Sequence, residues 1–357
     1  MTKEGMTKER TWYLDYIRII GTLAVIMLHV SSYHFSAVKV TSSEWAALNF
    51  YDAIVRYAVP LFLMLSGALF LNPDKELDLK KLYGKYILRI VTAFVFWSLL
   101  YAVEFNYNKG LKEIVVAFIK GHSHLWYLFL IVSMYMIVPF LKKITASMEL
   151  TKYFLVLGLI FTFLIPEVIS LLKASSDGAF VAVGNAANSA LSNMNFDFAA
   201  GFVLYFVAGW YFSRVELSKK TRWVIYGLGI AGFVATVFTT YALSLEKGTP
   251  DTTYYTHFKI NILLETLFVF VFAKYELSRI KLCKRGQKVV LALSKYSFGV
   301  YMVHMLVRNI FAKLLHFSSL TFHPILAVPA VTLVVFAGSL GISWVMNHIP
   351  VMKKYLV

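Results

Sequence analysis

The sequence predicts an all-α polytopic membrane protein with ten transmembrane helices and both termini in the cytoplasm. Three observations carry that expectation. Of 357 residues, 59% are hydrophobic and 15% are charged, whereas about a quarter of a soluble domain is charged. Ten apolar windows approach the roughly 20 residues needed to cross a hydrocarbon core. Lysine and arginine are unevenly shared between alternate loops: 23 fall in the set that includes both termini and eight in the other. That asymmetry marks the cytoplasmic face. It also explains the net charge of +16 without calling on nucleic acid, which is not an expected partner. One cysteine, Cys283, excludes an intrachain disulfide, and no His/Cys cluster has the spacing of a zinc site. No metal is therefore expected.

The windows cover 13–33, 47–71, 86–104, 124–141, 151–172, 198–214, 223–243, 259–276, 289–312 and 324–346, with Trp and Tyr near several ends, as membrane interfaces favour. Residues 1–357 read as one membrane-embedded domain with no appended soluble domain. The opening MTKEGMTKER is a basic flank of the first span rather than a cleaved leader, because the apolar stretch is too long and no small-residue cleavage site follows.

The first window, WYLDYIRIIGTLAVIMLHVSSY, carries Asp15, Arg18 and His29 inside an otherwise apolar span. Ionisable groups at that depth are costly and mark functional sites by default. Arg18 and His29 are eleven residues apart, so on a helix they share a face, offset by about 20° and separated by roughly 16 Å. Asp15 lies one turn before the arginine on nearly the same stripe. His29 is either a histidine bonded within a helix interface or a general base, since imidazole titrates near neutrality. Arg18 either snorkels to headgroups or binds a phosphate or carboxylate. Asp15 is its natural ion-pair partner.

In the second window, Ser66-Gly67 after Pro60 suits close helix packing better than nucleophilic chemistry. The segment ELDLKKLYGKYILRIV sets Lys80, Lys81, Lys85 and Arg89 at the third span, as topological bias or as a dock for a polyanion. LKEIVVAFIKG (111–121) has helical apolar spacing and is expected to lie along the outer surface. His122 and His124, ahead of Trp126, read as ordinary solvated interface histidines. The stretch from Lys173 to Asp197, rich in Asn, Ser, Ala and Gly, reads as the longest outer loop: a connector, or a cover over a polar ligand. Glu265 in the eighth window and His304 in the ninth are buried polar residues, each either structurally paired or part of a site. Glu265 and Trp126 are candidate substrate contacts.

The spacing of Arg18 and His29 within LDYIRIIGTLAVIMLHV resembles the first-helix motif of the acyltransferase-3 family of membrane O-acyltransferases. VPLFLMLSGALF (59–70), HLWYLFLIVSMYMIVPFL (124–141) and YSFGVYMVHM (296–305) are similar to later segments of that family, in family order. The chain looks most like its stand-alone O-acetyltransferases, similar to the enterobacterial-common-antigen enzyme. The resemblance implies an acyl-CoA donor, most simply acetyl-CoA, bound from the cytoplasm. It also implies a hydroxyl acceptor on a cell-surface polysaccharide or lipid-linked sugar beyond the bacterial inner membrane. It marks Arg18 and His29 as the essential pair and His304 as a recurrent position. Arg89 matches the second arginine of an Arg-x-x-Arg pattern; Tyr86 stands at the first, with Lys85 one residue off. On this reading Arg18, Lys85 and Arg89 hold the donor phosphates, while His29 acts as general base or carries the acyl group. Asp15 orients or neutralises Arg18. The competing expectation is an exporter of glycan or lipid-linked precursor without acyl transfer, which would favour inverted repeats and broken helices in matching halves; neither is visible in the sequence.

Overall fold

The structure, a computed structural model, describes residues 10–194 and 201–357. The basic flank therefore lies outside the described residues except for Arg10, as does the end of the stretch from Lys173 to Asp197. Within the described residues the ten windows fall largely on helix, and there is no strand.

Helix α1 (Trp12–Ser31) is the central element, packed by α3 (Ala58–Phe70), α13 (Ile260–Tyr275), α14 (Lys284–Leu314) and α15 (Pro324–Met346). The second window is broken rather than continuous. Helix α2 (Ser43–Ala53) begins where Ser42 Oγ accepts from the Trp45 amide at 3.1 Å. It ends in a tightened turn through which Val55, Arg56 and Ala58 bond carbonyls three residues back. Pro60, which has no amide to offer, then sits in the first turn of α3, where none is needed.

A short α4 (Leu79–Lys81) and a π turn over Leu82–Ile87 lead into α5 (Leu88–Asn106). Helix α6 (Leu111–Lys120) is bracketed by Gly110 and Gly121, both at positive φ. It lies against α5, where Ser98 Oγ donates to the Phe118 carbonyl at 2.6 Å. There follow α7 (Trp126–Thr145), α8 (Met148–Gly158) and, after a second π turn, α9 (Ile165–Lys173).

The expected outer loop is largely helix α10 (Gly178–Asn193). Asn, Ser and Gly are weak helix formers, but Asp177 caps the first turn, accepting from the Ala179 amide at 2.8 Å. Helix α10 then packs on α9.

The bundle is completed by α11 (Phe202–Arg214), α12 (Lys219–Lys247), α13, α14, α15 and a short α16 (Pro350–Tyr355). Cys283 is exposed and caps α14. Helices α12 and α15 turn Trp223, Phe238, Leu326 and Leu333 outward, an apolar exterior that suits lipid rather than water.

Eight helical stretches among the described residues are long and apolar enough to cross a membrane, two fewer than the windows suggest. The chain is a multi-pass membrane protein. The two exceptions, α11 with 13 residues and α13 with 16, fall short of the usual length. In α11 every residue from Val203 to Trp210 is buried, so its apolarity serves protein packing. Its closest neighbour is α3. A Cβ built on Gly67 would lie 1.7 Å from the Phe206 carbonyl oxygen, and one on Gly209 would lie 1.9 Å from that of Met64. Only glycine lets these two backbones touch, the small-residue contact that membrane helices use in place of a hydrophobic drive.

Candidate active site

Beside α1 runs a cavity of about 470 Å³, within the range of small-molecule sites. Its walls come from α1, α3, the entry to α5, α7 and α14, and both Arg18 and His29 line it. The shared face expected from their spacing is therefore turned to open space rather than to lipid.

At one end the cations collect. Arg18 Nη1 donates to Ser294 Oγ at 2.8 Å, and that hydroxyl donates to Asp15 Oδ1 at 2.6 Å. Asp15 is only 4% exposed, and Arg10 closes the knot with two bonds to its carboxylate at 2.8 and 3.0 Å. A buried carboxylate so shared is neutralised, and it fixes the arginine that faces the cavity. Arg89 and Tyr86 line the same end. Arg89 Nη2 donates to the Val357 carbonyl, and the guanidinium stands 5.3 Å from the Phe298 ring centre. Lys85 does not reach this cavity. The π turn delivers Tyr86 inward and leaves Lys85 on a neighbouring groove.

At the other end three imidazoles meet. The His29 ring lies 5.3 Å from that of His304 and 6.4 Å from that of His124, and the last two are 5.2 Å apart. His304 Nδ1 is 2.7 Å from the Tyr301 carbonyl. A carbonyl only accepts, so Nδ1 holds a proton and, in the neutral ring, Nε2 holds the lone pair. That Nε2 is buried and has no hydrogen-bond partner among the described residues, and the same is true of His124 Nε2. His124 Nδ1 instead meets His122 Nδ1 at 2.8 Å. The His29 backbone is held by Arg308, whose Nη1 donates to its carbonyl at 2.9 Å. Ser66, Tyr127 and Tyr135 also line the cavity, and Tyr301 stands at the histidine end, its ring 5.6 Å from that of His124.

At the rim beyond the histidines, Arg56 pairs with the buried Asp52 at 2.6 Å and lies over the Tyr255 ring at 4.0 Å. The break between α2 and α3 is what brings Arg56 to the cavity. Trp126 and His257 face each other there, with ring centres 5.7 Å apart. His257, in the loop before α13, is pushed down to about 4 by burial, and Arg56 acts in the same direction.

The structure thus brings Arg18, His29, Arg89 and Trp126 to one cavity and sets Asp15 and His304 directly behind it. It does not bring Lys85 or Glu265 there. Glu265 is fully buried between α12 and α13, where Thr236 Oγ1 donates to it. It does not line the cavity where a substrate contact is expected: the side chain belongs to a polar seam that also holds Asn261, which donates to Thr236 Oγ1 at 2.7 Å. His124 was missed, and the reading of it as a solvated histidine is corrected too, since it is 2% exposed. Gly121, at φ 75°, turns the chain under α6 and carries His124 inward. A glycine closing an amphipathic helix just before two histidines is the only sequence signal for it.

Chemically, the cavity offers fixed cations at one end and, at the other, an open imidazole backed by two more with free nitrogens. The first binds anions; the second takes and returns protons.

The family model described as "Acyltransferase domain" matches residues 11–346. The chain is also similar to a Bacillus subtilis (strain 168) protein named "Putative membrane-bound acyltransferase YfiQ". The two are 26% identical over 367 aligned positions, covering 93% of this chain and 90% of the relative. No solved structure shows significant similarity.

Proposed function

The chain belongs to the acyltransferase-3 family, and from that premise we propose that it moves an acyl group from acyl-CoA to a sugar hydroxyl across the membrane. The acyl group is acetyl and the acceptor is a cell-surface polysaccharide or its lipid-linked precursor. The protein sits in the bacterial inner membrane in ten passes, with both termini cytoplasmic, so the cationic end faces the cytosol and the histidine end faces outward.

One observation supports this reading above the rest: Arg18 and His29 line a single cavity. Their separation of roughly 16 Å along the helix suits an extended arm held by its phosphates at one end with its thioester at the other. Arg18 and Arg89 bind the phosphates. His29 removes the proton from the incoming hydroxyl as its oxygen attacks the thioester carbonyl. The C–S bond breaks, and the imidazolium returns the proton to the departing thiolate. His29 also has the position to accept the acyl group itself and pass it on. Trp126 at the rim offers an aromatic face to the sugar.

The test is purified protein in lipid nanodiscs with labelled acetyl-CoA and a glycan extract. Acetyl transfer that is lost in His29→Ala supports the reading. Vectorial glycan movement with no acyl transfer would point instead to an exporter and overturn it. Mass spectrometry of surface glycans from cells with and without the gene names the acceptor.

A further inference from the structure

Behind the cationic end lies a second groove of about 830 Å³. One wall is the entry to α5, with Lys85, Tyr86 and Arg89; the other is the end of the chain, with His348, Lys353 and Lys354. Among the described residues no acidic side chain lines it. Helix α16 is fixed in place there: Thr92 Oγ1 donates to the Tyr355 carbonyl at 2.9 Å and Trp97 Nε1 to that of Leu356 at 3.3 Å. Tyr86 and Arg89 line both this groove and the central cavity, so the two spaces meet at those residues.

We propose that this groove binds the phosphorylated nucleotide of the acyl donor, with Lys353 and Lys354 of α16 as contacts to the ribose phosphate. The proposal rests on the acyl-CoA reading above. Three exposed lysines and Arg89, with no acidic side chain among the described lining residues, favour a polyanion over a neutral or cationic group. The volume accommodates a nucleotide. The shared residues give the reason for a nucleotide rather than a free phosphate: the ligand continues past Arg89 into the cavity, where the acyl arm runs toward His29. Lys85, out of place for the cavity, is in place here. The tyrosine rings of Tyr86 and Tyr355 present faces on which a base stacks.

The test measures binding of CoA and dephospho-CoA, which lacks the ribose 3′-phosphate, to the full-length protein in phosphatidylcholine nanodiscs. Wild type is expected to bind CoA about tenfold tighter than dephospho-CoA, a difference that shrinks in high salt. K353A/K354A, at two exposed positions, is expected to lose that preference while binding dephospho-CoA as before, and K353R/K354R to restore it. An unchanged preference in K353A/K354A overturns the groove and leaves the donor reading standing. No CoA binding by wild type overturns both. If the double variant instead loses bound phosphatidylglycerol in native mass spectrometry and keeps its nucleotide affinity, the groove serves lipid headgroups and the proposal fails.

Discussion

The two ends of the cavity are built from ionisable residues in opposite ways. At the cationic end a closed network holds Arg18: Asp15 takes bonds from Arg10 and Ser294, and Ser294 takes one from Arg18, while the buried Arg89 Nε has no partner among the described residues. At the histidine end the rings of His304 and His124 keep buried nitrogens without partners, and His29 opens to the cavity with no side-chain hydrogen bond of its own among the described residues. Satisfied polar networks hold a geometry; unsatisfied buried groups are costly and persist where a function needs them. On the acyl-transfer reading proposed above, the contrast gives holding to one end and chemistry to the other.

The sharpest way to break that contrast is His29→Ala. Turnover of acetyl-CoA is expected to fall by about 10²–10⁴-fold, the range of general-base catalysis, while donor affinity stays the same. Equal losses in both would dissolve the division of labour. Arg18→Ala should do the reverse: a weakening of donor binding by about 10–100-fold, from loss of one charge-assisted contact, read by titration calorimetry. His304→Gln keeps a polar side chain but removes the proton-accepting nitrogen. It is expected to lower turnover less than His29→Ala and to alter the pH profile of turnover. A profile identical to wild type would make the ring a packing element.

Asp15→Asn tests the holding end as structure. It removes the charge shared by Arg10 and Arg18, and about 1–3 kcal/mol of stability should go with it, seen as a lower melting temperature with turnover largely kept. The smallest effect concerns the rim. The folded-state value of His257, about 4, lies below that of the free side chain. The unfolded chain therefore binds the extra proton first, and stability falls as pH drops from about 6.5 to 4. His257→Gln should flatten that slope, as followed by melting temperature against pH.

Much of this was legible because a membrane permits few solutions. A window of apolar residues at bilayer depth must satisfy its backbone internally, so the windows became largely helix. The alignment of Arg18 with His29 follows from helical geometry alone. What stayed hidden depended on contacts between distant segments. Hydropathy does not report helix length, so it does not show that α11 and α13 run only 13 and 16 residues. The break after Ala53 is written in local hydrogen bonds within a window whose mean hydropathy hides it. A π turn shifts register by one residue, which separates Tyr86 from Lys85 in a way no fixed periodicity anticipates. Glu265 is conspicuous as a carboxylate in an apolar span, yet its partner Thr236 comes from the neighbouring helix α12. His124 was read from its own hydration and not from the glycine that turns it inward.

The glycine contact between α3 and α11 has a mechanical consequence. Helix α3 forms one wall of the cavity through Phe62, Leu65, Ser66 and Leu69, and its backbone is in direct touch with that of α11 at Gly67 and Gly209. Sliding or rolling there would drive atoms into each other, so that side of the chamber behaves as an anvil. The wall formed by α7 is built differently: its interior Pro139 leaves one rung of the hydrogen-bond ladder empty, so any give in the chamber is easier there than at the glycine contact.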